Sequence, residues 1–425
     1  MAALPALMRE IVLRSRYREG FPLPQMQRKL RDYYATHIAL IEAEWRPFYF
    51  AWIEAVKTRM AHEETLPWVM TMGDRAQPRD IRVHHRGQYN EPVGDPVEPG
   101  LPDALGGLPD ELPRNRLGLA QWMVSDTNPL TARVLVNRQW QLFFGTGLVK
   151  TPEDFGLQSA LPSNPALLDY LAVRYRDSWD TKQLVRMIVT SATYRQSSSM
   201  PPGLLERDPD NELLARGPRF RLPAMLLRDQ ALSVAGLLNN ELFGPPVYPY
   251  QPAGLWIEVS YGQFEYHPST GDDLYRRTLY TFFRRTIAPP NLFDNANRQA
   301  CVVNPSLTNT PLHALTTLND PTFIEAARGL ALRALAQQPN AEPRTVLAEM
   351  FATVTLRPAE ARELNILTAA YHREHERYAA DPDAADDYLA IGELPTPDDQ
   401  DRAHLAALAS VGLTILNLDE ALTKE

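Results

Sequence analysis

The sequence has 425 residues, 44% hydrophobic and 22% charged, which is room for two or three compact units and too apolar for a disordered chain. With 43 basic and 52 acidic residues the net charge is −9, which argues against a general nucleic-acid binder. The single cysteine, Cys301, excludes a disulfide framework, a multi-thiolate metal site and the Cys-x-x-Cys-His signature of covalent haem within this sequence, so no cofactor is expected in it.

Proline stands out, at 37 of 425 residues, about 9% against a usual ~5%. Met1–Arg18 lacks the order of a signal peptide, because Arg9, Glu10, Arg14, Arg16 and Arg18 interrupt any apolar core. The uncharged run Leu405–Leu418 is shorter than the roughly 20 residues that span a bilayer. The expectation is a chain without a membrane span. It is either intracellular, or Met1 is an internal start within a longer exported protein.

Residues 1–64 read as an N-terminal helical segment. Leu30, Tyr33, Tyr34, His37, Ile38 and Ile41 recur at three- and four-residue steps. Trp45, Phe48, Tyr49, Trp52, Ile53 and Val56 continue the pattern past Pro47, which predicts an α-hairpin with an aromatic core. Residues 65–113 form a Pro/Gly-rich connector, with a short strand over Ile81–His85 before Pro92, Pro96, Pro99, Pro102 and Pro109.

Residues 114–425 read as one multi-helical domain. Asp126-Thr127-Asn128-Pro129 precedes a helix from Leu130 to Phe144, which Gly145 and Gly147 stop. Asn164-Pro165 starts a helix to Arg176, and others run over Thr181–Ala192 and Pro223–Leu238. Residues 241–310 are the irregular part, with Tyr248, Tyr250, Trp256, Tyr261, Phe264 and Tyr266 framed by proline and glycine, and strand-forming residues at Leu279–Phe283. Thr310-Pro311 and Asn319-Asp320-Pro321 begin helices, Pro343 and Pro358 can begin others, and His404–Leu422 forms the last. The acidic stretch Asp381–Asp401 reads as a solvated loop.

Several blocks resemble one family. They include Asn128–Val134, Asn137–Trp140, Phe144–Val149, Thr151–Gly156, Arg228–Leu232, Pro249–Trp256, Asp273–Arg277, Thr308–Leu312, Leu318–Pro321 and Leu416–Glu420, in the expected order. The family is the planctomycete-type, cytochrome-associated PSD-one domain, a domain of unknown function. The resemblance implies a setting in a large bacterial cell-envelope protein, periplasmic or secreted, often with a c-type cytochrome domain ahead of it. It brings no established reaction. Two positions depart from the expected pattern: Met225 stands where a glutamate is expected, and Phe243-Gly244 where a glycine pair is expected.

Four groups of residues can carry chemistry. Arg133, Asn137 and Trp140 share a helix face and can hold a carboxylate or a sugar hydroxyl, or form a buried network to the Thr151–Gly156 loop through Asp154. Asp154, Asp229 and Asp320 are the carboxylates available for acid/base work, although Asp320 also reads as a helix cap and Asp229 as an ion-pair partner of Arg228. Arg276 and Arg277, with Arg284, Arg285 and Arg298, concentrate positive charge that can meet an anionic or acidic partner or pair internally. Tyr250, Trp256 and Tyr261 offer faces for sugar stacking or protein contact, or plug gaps between helices. No metal site is expected, since His372 and His375 sit among Arg373, Glu374, Glu376 and Arg377 on a charged helix.

The fold expected is mainly α: a multi-helical scaffold with a proline-rich irregular layer and one small β-sheet or hairpin. The leading functional expectation is a non-catalytic binding or assembly module whose partner is a glycan or an envelope protein. A polysaccharide-processing enzyme and a docking partner of a c-type cytochrome stay open as alternatives.

Overall fold

Capping side chains and prolines set most of the element boundaries. The computed structural model describes residues 24–33, 46–66, 69–75, 79–252, 254–256, 265–284, 294, 302–303 and 307–424. Among them are fifteen α-helices and two two-stranded antiparallel ladders, so the architecture is mainly α. They fall into two compact units, Met1–Glu98 and Pro99–Glu425.

The first unit contains α1 (Pro24–Tyr33), α2 (Arg46–Thr65) and a ladder of β1 (Val83–His84) with β2 (Pro92–Val93). The strand expected over Ile81–His85 is shorter because His85–Gly87 turns as a 3₁₀ segment, with Arg86 at φ 50°. Tyr34, His37, Ile38, Ile41 and Trp45 lie outside the described residues. In α2 the rings do not form a core: Phe48 and Trp52 are exposed, while Ile53 and Val56 are half-buried. Phe48, Trp52 and Val56 follow one another at four-residue steps on one face, and exposure rises along it toward the N-terminal end of α2.

The second unit begins with α3 (Arg116–Met123), α4 (Thr131–Phe144), α5 (Pro165–Arg176) and α6 (Thr181–Val189). Asn128 Oδ1 accepts from the N–H groups of Leu130 and Thr131 (both 2.9 Å), and Gly145 ends α4 at φ 80°. Asn164 and Asp180 cap α5 and α6. Their inward faces bury Val136, Trp140, Phe144, Leu168, Leu171 and Ile188, with the Trp140 and Phe144 rings stacked 4.1 Å apart.

After the short α7 (Leu204–Arg207) and β3 (Phe220–Arg221) comes α8 (Ala224–Val234), then the irregular layer. The remainder is α9 (Pro311–Asn319), α10 (Pro321–Gln337), α11 (Pro343–Thr355), α12 (Ala361–Ala380), α13 (Pro382–Leu389), α14 (Arg402–Leu416) and α15 (Asp419–Leu422). Helices α10 and α14 are buried almost all round and form the centre of the larger core. Small residues allow their close approach: a Cβ at Gly412 would lie 3.2 Å from the Ala327 carbonyl oxygen. The closing β4 (Thr423–Lys424) pairs with β3, Phe220 opposite Lys424.

Three local expectations change. The acidic stretch contains α13, capped by Asp381, because Ala385 and Leu389 at i and i+4 bury a face that the charge count hides. Helix α12 starts at Ala361 rather than at Pro358, because Glu360 and Glu363 form a capping box. Leu279–Phe283 is not a strand: Thr278–Tyr280 is a 3₁₀ turn, and Thr281 makes an isolated bridge to Val247.

Arg357 joins α12 and α15, donating to Glu363 (2.6 and 2.9 Å) and to Glu420 (2.7 and 2.9 Å). These bonds hold the Glu363 carboxyl down at about 2. A carboxylate with a depressed value stabilises the fold above its ordinary pKa and loses that contribution as pH falls. Urea midpoints should therefore decline between pH 4.5 and 2, and Arg357→Gln should flatten that part of the profile.

Candidate functional site

The irregular layer is held in place by arginines that donate to backbone carbonyls. Arg228, 1% exposed on α8, donates to the carbonyls of Arg276 (2.9 Å) and Leu274 (2.8 Å) and to Thr278 Oγ1 (3.2 Å). Its neighbour Asp229 accepts from Thr278 N–H (2.7 Å) and Thr278 Oγ1 (2.6 Å). Arg276 donates to the carbonyls of Pro245, Glu241 and Phe243 and lies over the Tyr280 ring. Burial pushes the Arg228 guanidinium below its ordinary value, so each of these acceptors matters.

A second junction lies on α10. Glu325, fully buried, accepts from Tyr275 Oη (2.9 Å), Tyr250 Oη (3.2 Å) and Leu394 N–H (2.5 Å). Arg328 donates to the carbonyls of Leu389, Ile391 (2.9 Å) and Leu394 (2.7 Å). The Glu393 N–H donates to Tyr250 Oη (2.9 Å). Burial and the Glu325 charge raise both tyrosines, so they stay protonated and donate to the carboxylate.

Against this junction lies a cleft of about 340 Å3, lined by Tyr250, Gln251 and Pro252 on one side and by Leu315, Thr316, Asn319, Asp320 and Pro321 at the α9–α10 elbow on the other. The walls are mostly apolar. Asp320 caps α10 by accepting from Thr322 N–H (2.9 Å), and burial raises its carboxyl above the ordinary value. Asn319 donates to the Leu315 carbonyl (2.7 Å). Gln251 Oε1 accepts from Trp256 Nε1 (2.5 Å), while its Nε2 is buried with no hydrogen-bond partner among the described residues.

Among the residues singled out in the sequence, Tyr250 and Asp320 meet at this cleft. Trp256 is buried and stacks on Tyr266 at 5.5 Å, behind the wall. Tyr261 lies outside the described residues, as do Arg285, Arg298 and Cys301. Arg276 is engaged as described, and Arg277 is half-buried beside it. Arg133, Asn137 and Trp140 do not act together. Arg133 pairs with Asp169 (2.7 Å), and Asn137 exchanges two bonds with the Val149 backbone (3.0 and 2.8 Å). Trp140 borders a separate cavity of about 30 Å3 with Lys150, Asp210 and Glu212, room for about one water. Asp154 accepts from Gly156 N–H (2.7 Å) within its own loop rather than from Arg133.

Sequence reasoning missed Glu325, Arg328 and Gln251. The signal for the first pair was present: a glutamate and an arginine three residues apart in an otherwise Ala/Leu-rich helix. Among the described residues no group of three or more His, Cys, Asp or Glu side chains can hold a metal ion. No helix among them is long and apolar enough to cross a membrane.

A family model described as "PSD1: Protein of unknown function (DUF1553)" matches residues 115–371, more than half of the chain. The chain belongs to this family. The PSD1 match includes the cleft, Glu325 and Arg328, and α3 to the middle of α12, and it stops short of the 389–394 segment that bonds to them and of α13–α15. Comparisons with curated proteins and with solved structures gave no match.

Gly392, at φ 86°, lies against the junction, and a Cβ there would come 2.6 Å from the Glu325 carboxyl. Gly392→Ala should lower stability by ~1–3 kcal/mol through backbone strain and displacement of Glu325, measured by thermal unfolding.

Proposed function

We propose that this PSD1 chain is a non-catalytic binding module of a larger cell-envelope protein, and that it holds one unit of a glycan in the Tyr250–Asp320 cleft. The envelope setting rests on the family resemblance. The recognition reading rests on the chemistry of the cleft: a tyrosine wall beside amide and carboxylate groups, which suits a ring with one apolar face and a polar edge.

One observation carries the choice of binding over catalysis. Each candidate carboxylate is already committed to the protein's own backbone: Asp154 to a turn, Asp229 to Thr278, Asp320 to the first turn of α10. A glycosidase needs two carboxyl groups free to face the bond between them. The cytochrome-docking reading is weakened for a similar reason, since Arg276 is buried and both its Nη groups donate to carbonyls.

The test is calorimetric titration of the full chain with neutral mono- and oligosaccharides, alongside a search for released reducing ends. Binding without turnover is expected. Asn319→Ala, an exposed change, should weaken binding several-fold, and Tyr250→Ala should weaken it at least tenfold, with Asp154→Asn as an unaffected control. Sugar release that Asp320→Asn abolishes would overturn the reading.

A further inference from the structure

Gln251 Nε2, which has no hydrogen-bond partner among the described residues, narrows the ligand. Buried polar groups in folded proteins nearly always have partners, so a buried donor without one calls for an explanation. Gln251 lines the cleft, and its Oε1 is fixed by Trp256, which orients Nε2 as the remaining donor. Across the cleft stand acceptors, the Asn319 Oδ1 and the Asp320 carboxylate, whose neighbouring backbone and side-chain donors are already engaged. The rest of the lining is the Tyr250 ring, Thr316 and the aliphatic side chains of Pro252, Leu315 and Pro321.

A plain hexose uses this set poorly, because hydroxyls do not need three aliphatic walls. A secondary amide uses all of it. Its carbonyl accepts from Gln251 Nε2, its N–H donates to Asp320 or Asn319, and its methyl packs on Leu315 and the two prolines. The volume of about 340 Å3 is at the lower end of the ~300–1,000 Å3 typical of small-ligand sites, enough for one sugar unit.

From these groups we infer that the cleft takes an acetamido sugar, the N-acetylhexosamine unit of a polysaccharide, with Gln251 as the residue that reads the acetyl carbonyl. This inference rests on the glycan-binding reading above and names its substrate class. Because Nε2 is closed to water, the Tyr250–Pro252 wall must shift slightly for the carbonyl to reach it.

The experiment titrates the full chain with N-acetylglucosamine and its soluble oligomers, glucose, glucosamine, and an N-acetylated dipeptide, following cleft residues by NMR. Acetamido sugars should bind at least tenfold more tightly than glucose or glucosamine. Gln251→Glu keeps the acceptor for Trp256 but removes the donor, and it should collapse that preference. Leu315→Ala, at an exposed position, should reduce the preference several-fold without touching the core. Equal binding of glucose and N-acetylglucosamine at the cleft would overturn this inference and leave the glycan-binding reading intact. No sugar at the cleft would overturn both. Preferential binding of the acetylated dipeptide there would overturn the sugar assignment in favour of a peptide.

Discussion

Glu325 and Arg328 bring opposite charges into a helix at the centre of the core, yet they barely touch each other: the nearest nitrogen–oxygen approach is 3.9 Å. Each is solvated instead by its own set of polar groups, and the two sets meet at Leu394, whose N–H serves the carboxylate and whose carbonyl serves the guanidinium. The carboxylate collects two phenols and an amide, and the guanidinium collects three carbonyls from residues 389–394. Replacing such a pair with apolar residues need not cost stability, whereas removing one partner strands the other in a medium that cannot solvate it. Its role is better described as positional: it selects one arrangement of the Tyr250 wall and the segment before α14, where hydrophobic contact alone would accept several.

The same device recurs through the irregular layer. Arg228 and Arg276 provide the planar, multi-donor heads that loop carbonyls need when no ladder or helix satisfies them. The concentration of arginine at 276–277 therefore has an internal explanation for its first member. It also explains how a layer rich in proline, which removes backbone donors, coexists with a buried position: the missing donors come from arginine side chains.

How much was legible in the sequence follows from the range of each interaction. Caps and proline starts act within four residues, so Asn164, Thr310 and Asp320 could be read directly, as could most helices they open. Helix α13 was hidden because its acidic residues dominate composition while only Ala385 and Leu389 face inward. The partners of the α4 trio were not legible, because shared helix spacing says nothing of what lies opposite each side chain: Arg133 meets Asp169, and Asn137 meets Val149. The cleft depended on a contact between Tyr250 and Glu325, 75 residues apart, which no local pattern encodes. Phe243 is an instructive case. The family pattern suggested glycine there, and its backbone does adopt φ 69°, a conformation that favours glycine.

The pairing of β3 with β4 has a kinetic meaning. Arg219 and Asp419, flanking that ladder, are 200 residues apart, and α10 finds its main neighbour in α14. Contacts of such long range close late, after the entropy of a large loop has been lost. During synthesis, the α4–α6 cluster can complete its core from neighbouring segments while α10 still waits for a helix not yet made. The apolar face of α10 is thus open to misassociation on the ribosome until α14 packs against it.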